Sequence, residues 1–172
     1  MMIGDKKTFG VELKVVRPGG SDYKFAKCFF WIFDDCLGNP DEVSHLGLLA
    51  SSFEDLFERF SSQRSGDIEA LFGCDTEEIF QFFESQLWAG SAYVNKNKFQ
   101  VQDPYNYFSL PVGVEIFDGD RVYLLRGSNS DRVIWKKWGE KLSRSKFIPK
   151  GHFGEVIKNV VNSLKNKGNV FI

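Results

Sequence analysis

Apolar residues fall on alternate positions in residues 9–17, FGVELKVVR, with Phe9, Val11, Leu13 and Val15 on one side and Glu12 and Lys14 on the other. That period of two predicts a half-buried strand. The turn formers Pro18, Gly19, Gly20, Ser21 and Asp22 follow, and residues 23–33 predict a returning strand, apolar on both faces by its end, as suits the middle of a sheet. From Ser44 the period becomes three and four. Leu46, Leu49, Ala50, Phe53, Leu56, Phe57 and Phe60 take one side and Glu54, Glu58 and Arg59 the other, which predicts an amphipathic helix. After a polar loop at Ser61, Ser62, Ser65 and Gly66, Asp75 and Glu78 have the spacing of a capping box. They open a second predicted helix that runs through Trp88, with Ile79, Phe80, Phe83 and Leu87 facing inward.

Residues 89–111 carry no readable period, although Asn95, Lys96, Asn97 and Lys98 suggest a turn and PYNYFSLP a stiff aromatic loop. From Val112 the strand pattern returns as VGVEIFDGDRVYLLRGSNSDRVIWKKW, in which Asp118-Gly119 and residues 127–131 separate three apolar runs. These predict a three-stranded antiparallel meander. A last helix is expected over about 153–165, with Phe153, Ile157, Val160, Val161 and Leu164 on one face and Lys165, Lys167 and Gly168 at its end. Strand pairs, helices, strands and a final helix point to α+β, an antiparallel β-sheet of hairpins and a meander with about three helices packed on it. No linker divides the chain, so residues 1–172 read as a single domain.

Composition alters this picture in one respect. Of 172 residues, 18 are Phe, 5 Tyr and 4 Trp, so the core is expected to be rich in aromatic rings. A formal net charge of -1 offers no overall field for nucleic acid or an anionic membrane. The N-terminal MMIGDKKTFG lacks the apolar run of a signal peptide and no stretch approaches a membrane span, which predicts a cytoplasmic protein with no membrane partner. Cys28, Cys36 and Cys74 form no CxxC pair and are odd in number, as expected of reduced thiols.

The stretch FFWIFDDCLGNP presents the sharpest choice of chemistry. Adjacent carboxylates on a strand point to opposite faces, so Asp34 and Asp35 do not converge on one substrate atom. Both suit the left-handed conformation of a two-residue hairpin loop, and the turn reading is preferred, with Phe33 pairing Cys36. That register separates Cys28 from Cys36 by roughly 16 Å along the ladder, too far for a disulfide or shared metal. His45 and His152 each precede a predicted helix and have no His or Cys at metal-ligand spacing, which favours structural placement. No GxSxG, HExxH or phosphate-binding loop is present. Catalytic residues, metal ligands and cofactors are therefore all predicted as none. Trp31 and Trp135 read as core residues, whereas Trp138 opens a polar segment, WGEKLSRSKF, where an exposed Trp would serve as an interface anchor. Asp34, Asp35, Asp41 and Glu42 crowd around one turn and the approach to a helix, a candidate acidic contact patch.

The opening IGDKKTFGVEL, the strand and turn FFWIFDDCLGN, the hairpin GVEIFDGDRVYLL and the strand DRVIWK together resemble the immunity protein 42 family of bacterial polymorphic toxin systems. Asp34-Asp35 stands where that family has an Asn-Gly type of turn. The resemblance implies a non-enzymatic protein that binds and neutralises a cognate toxin domain, with Asp34, Asp35, Asp41, Glu42 and Trp138 as candidate contacts. The alternatives are a small hydrolase joining Asp34 and Asp35 to a distant His, and an adaptor domain for an endogenous protein or small ligand.

Overall fold

The structure, a computed structural model, describes residues 1–16, 24–63, 68–88 and 101–169. Arg17, the expected turn at 18–22, Tyr23, the loop residues Ser65 and Gly66, and the expected turn at 95–98 lie outside the described residues. Five strands make a first antiparallel sheet: β1 (Met2–Gly4), β2 (Phe9–Val16), β3 (Phe25–Ile32), β4 (Asp35–Leu37) and β5 (Ser44–His45). β3 is central, as its apolar character requires, with β2 along one edge and β4 and β5 sharing the other. The period of two in β2 turns Phe9, Val11 and Leu13 inward opposite Ile32, Phe30 and Cys28. The other face carries Glu12, Trp31 and Cys36, and there Lys6 lies 3.6 Å from the Trp31 ring centre.

Helices α1 (Leu46–Ser62) and α4 (His152–Asn169) pack together over the inward face. Phe53 stacks on Phe30 at 5.9 Å, and Phe153 on Phe9 at 4.5 Å. The helices meet at Gly154, where an added Cβ would come within 2.2 Å of Phe60 Cε1, so only glycine allows this approach. Ser61 and Ser62 belong to the last turn of α1, where their hydroxyls donate to Phe57 O and Glu58 O. Arg59 is buried on the same helix. Its guanidinium donates to Phe108 O and Leu110 O and pairs with Asp55, fastening the aromatic segment 104–110 to α1.

The second sheet is the meander β6 (Arg121–Arg126), β7 (Ser130–Lys136) and β8 (Arg144–Pro149). Tyr123 and Ile134 share a face, and Tyr123 meets Phe80 and Phe83 of α3 (Thr76–Leu87) at 5.7 and 4.9 Å. Trp135 is on the opposite face, stacked 6.3 Å from Phe33 of the first sheet. The short α2 (Glu69–Phe72) precedes α3 and accepts Arg132 through Phe72 O.

The fold is α+β with antiparallel sheets, and it differs from the sequence expectation in its parts. The strands divide between two sheets. The apolar run at 112–117 forms a 3-10 turn at Glu115–Phe117 instead of the first meander strand, because Gly113 at φ +78 interrupts the extended backbone. The third strand is β8, whose polar sequence suits an exposed edge carrying Arg144, Lys146 and Pro149. The unread stretch contributes a 3-10 turn at Pro104–Tyr107, and Phe108 then bridges Tyr123, covering the outer edge of β6. Trp31, expected in the core, is half-buried beneath Lys6, whereas Trp135 is buried as expected.

Candidate partner-binding surface

The β3–β4 turn consists of Phe33 and Asp34, at φ +48 and +68, with Ile32 opposite Asp35. Positive φ at both central residues is the two-residue hairpin geometry that the sequence predicts, shifted by one residue. The slip changes the role of Asp35. Placed on β4 rather than in the turn, its Oδ2 accepts from Trp135 Nε1 at 2.9 Å and pairs with the Arg144 guanidinium. Arg144 in turn donates to Glu140 Oε1 at 2.7 Å, so the turn is joined to the loop between β7 and β8. The bond to Asp35, ahead of a smaller opposing effect of burial, raises the Arg144 pKa above its ordinary value. Cys28 faces the core and Cys36 the opposite side of the sheet, and both are free thiols. Burial pushes the Cys28 thiol far up, leaving it protonated.

The loop at 137–143 carries the two most exposed large apolar side chains among the described residues. Trp138 is 78% exposed and Leu142 71%. The loop is nonetheless held at both ends. Asp120, itself nearly buried, accepts from Trp138 N at 2.9 Å and from Gly38 N at 2.8 Å, linking this loop to the end of β4. Ser143 N and Oγ donate to Glu77 Oε2 at 3.2 and 2.7 Å, fastening the loop to the first turn of α3. Burial works against the Glu77 charge, but the bonds from Gln81 and Ser143 outweigh it and hold the carboxyl below its ordinary pKa. The Trp138 ring lies against Gly119, where an added Cβ would stand 2.2 Å from Cε3.

Beside the ring is a groove of about 250 Å³, lined by Phe80, Glu84, Arg121, Lys136, Lys137 and Glu140 among others. Glu84 is already engaged there, accepting from the Tyr123 hydroxyl and lying 3.5 Å from Arg121 Nε. Residues 136–146 contain five cations, Lys136, Lys137, Lys141, Arg144 and Lys146, against the single carboxylate Glu140. Lys137, Lys141 and Lys146 make no ion pair among the described residues.

Of the candidate contacts, the structure thus brings Asp34, Asp35 and Trp138 to neighbouring turns and leaves Asp41 and Glu42 elsewhere. The latter lie on the connection from β4 to β5, where Lys27 donates to Pro40 O and Asn39 accepts from Asp41 N and Glu42 N. By the strand register they are roughly 16 Å from the hairpin tip. His45 caps α1, its Nδ1 accepting from Gly47 N at 3.2 Å, and His152 Nε2 lies 3.3 Å from Thr8 Oγ1 and Phe9 O. Among the described residues no three His, Cys, Asp or Glu side chains converge to hold a metal, and no helix is long and apolar enough to cross a membrane. Asp120, Glu77 and Leu142 were not singled out by the sequence. The basic run around Trp138 was its one visible signal.

Comparison with curated proteins finds no match. Among solved structures, the fold is similar to the crystal structure of CdiI from Burkholderia dolosa AUO158, with a TM-score of 0.72 and 15% identity over 95% of this chain and 99% of that one. The sequence matches the model of the family described as immunity protein 42 across residues 1–163. The match spans both sheets, α1 to α3, the Trp138 loop and most of α4, and the chain belongs to the immunity protein 42 family.

Proposed function

We propose that this chain protects its cell by binding a cognate bacterial toxin stoichiometrically in the cytoplasm and neutralising it without catalysis. The observation that carries this reading, given the family, is a large aromatic side chain held outward on a pinned loop. A Trp exposed to 78% forgoes the burial expected of such a residue, and fixed aromatic side chains of this kind commonly anchor protein interfaces. Asp34, exposed at the adjoining hairpin tip, belongs at the margin of the same contact, while Asp35 acts by holding Trp135 and Arg144. Asp41 and Glu42 form a separate, outlying part of the proposed surface. Co-expression with the toxin encoded beside this chain tests the reading: restored growth at equimolar expression is expected, and continued killing despite soluble, folded protein rejects it.

A further inference from the structure

We infer that the buried carboxylate of Asp131 makes a proton-sensitive joint between the second sheet and α4, carried at an electrostatic cost while ionised and stabilised when it takes up a proton. Asp131 lies on β7, opposite Arg126 of β6 and Ile148 of β8, and is wholly buried. Its Oδ2 accepts from Gly151 N at 2.8 Å, in the turn that carries the chain from β8 into α4. Gly151 takes φ +78 there, and its own carbonyl accepts from Glu155 N in the first turn of the helix. One side chain of the second sheet therefore fixes the start of the helix that packs on the first. Its other oxygen, Oδ1, meets no donor among the described residues. The joint stands apart from the Trp138 loop and from the proposed immunity role.

A buried carboxylate is ordinarily paired with a cation or supplied with a full set of donors. Asp131 has neither, although two cations are near enough to act on it. Arg126 is its cross-strand partner, but that guanidinium lies 4.6 Å from the centre of the Phe60 ring and donates to Phe60 O at 3.4 Å. Lys150 donates instead to Ser128 O at 2.8 Å. In the first turn of α4, His152 turns its Nε2 to Thr8 Oγ1 and Phe9 O, and Glu155 is exposed. No ion pair reaches Asp131 among the described residues. Burial consequently pushes its carboxyl above the ordinary 3.8, against the opposing effects of the Gly151 N–H, Arg126 and Lys150. With the folded value raised, the folded chain holds this proton more tightly than the unfolded chain does. The site therefore adds stability as pH falls through the folded value towards 3.8 and adds none above it, the opposite sign to Glu77.

Carboxyl carbon-13 NMR of the full chain, titrated between about pH 7 and pH 4, tests the site without a substitution. The Asp131 carboxyl, assigned through its bonds to the backbone, is expected to take up its proton at a midpoint above 3.8, and a midpoint at or below that value overturns the inference. The second arm compares thermal transitions of the wild type and Asp131→Asn over the same range. The variant keeps an oxygen for Gly151 N and cannot ionise. As pH falls, the wild type is expected to gain on the variant by about 2 °C or more, whatever their order at neutral pH, because only the wild type takes up the proton at this site. A gap that stays constant, or that moves in the variant's favour on acidification, overturns the inference. Should Asp131→Asn not fold, the carboxyl titration alone decides.

Discussion

The β3–β4 turn and the β7–β8 loop are neighbours on one side of the molecule and follow opposite rules. The first is two residues long, and it places Phe33 in a left-handed conformation that costs a bulky residue about 1 kcal/mol or more. The Phe33 ring stacks on Trp135, and the turn's N–H groups at Phe33 and Asp34 bond Thr8 O and Lys6 O. Everything apolar in that turn is used for packing. The second is longer and equally well fastened, through Asp120, Glu77 and Glu140, yet it leaves Trp138 and Leu142 to solvent among lysines. Fastening without burial is what the proposed contact requires of the loop, whereas Asp35, beside the acidic turn, joins the two sheets through Trp135 and Arg144.

The largest effect is expected at Asp120, which ties the Trp138 loop to the end of β4. Asp120→Ala removes the common acceptor of Gly38 N and Trp138 N from a nearly buried site, and should lower unfolding free energy by about 2–4 kcal/mol in urea titration. Asp35→Ala, which strands the buried Trp135 Nε1–H, should cost about 1–2 kcal/mol, and Asp35→Asn less because an acceptor remains. The two carboxylates of FFWIFDDCLGNP are then separable: Asp34→Gly, at φ +68 with an exposed side chain, should change stability by about 0.5 kcal/mol or less. Equal losses at Asp34 and Asp35 would contradict the register. The Glu77 link adds a pH dependence confined to the loop. Its folded pKa lies below the ordinary 4.5, so its stabilisation is complete above that value and disappears as pH falls through the lower folded one. Glu77→Gln should flatten this acid limb of the stability curve, and an unchanged limb would show that Ser143 is held by other means.

Long, strongly periodic segments were legible from the sequence. The alternation of β2 and the three-and-four spacing of α1, α3 and α4 gave element type and most of the inward face, since burial of one face imposes that pattern directly. Val15, expected inward, is exposed, Arg59, expected outward, is buried, and Phe82 is buried beside the expected face of α3. Register was not legible to one residue: Phe33 and Asp34 form a left-handed pair because Trp135, a hundred residues away, stacks on a ring that local turn chemistry would exclude from that position. β8 was hidden for the opposite reason, as an edge strand of polar residues needs no apolar alternation. The exposure of Trp138 was legible from its polar surroundings. The pinning by Asp120 and Glu77 was not, because it joins residues 18 and 66 positions apart.

Amide hydrogen exchange of the chain, alone and saturated with inactivated toxin, tests most directly whether the exposed loop is the contact. The account predicts slowed exchange concentrated in residues 137–143 on complex formation, with little change at 33–35, whose N–H groups are largely bonded already. Protection confined to the Trp31 face of the first sheet or to residues 38–43, with 137–143 exchanging as in the free chain, would contradict it.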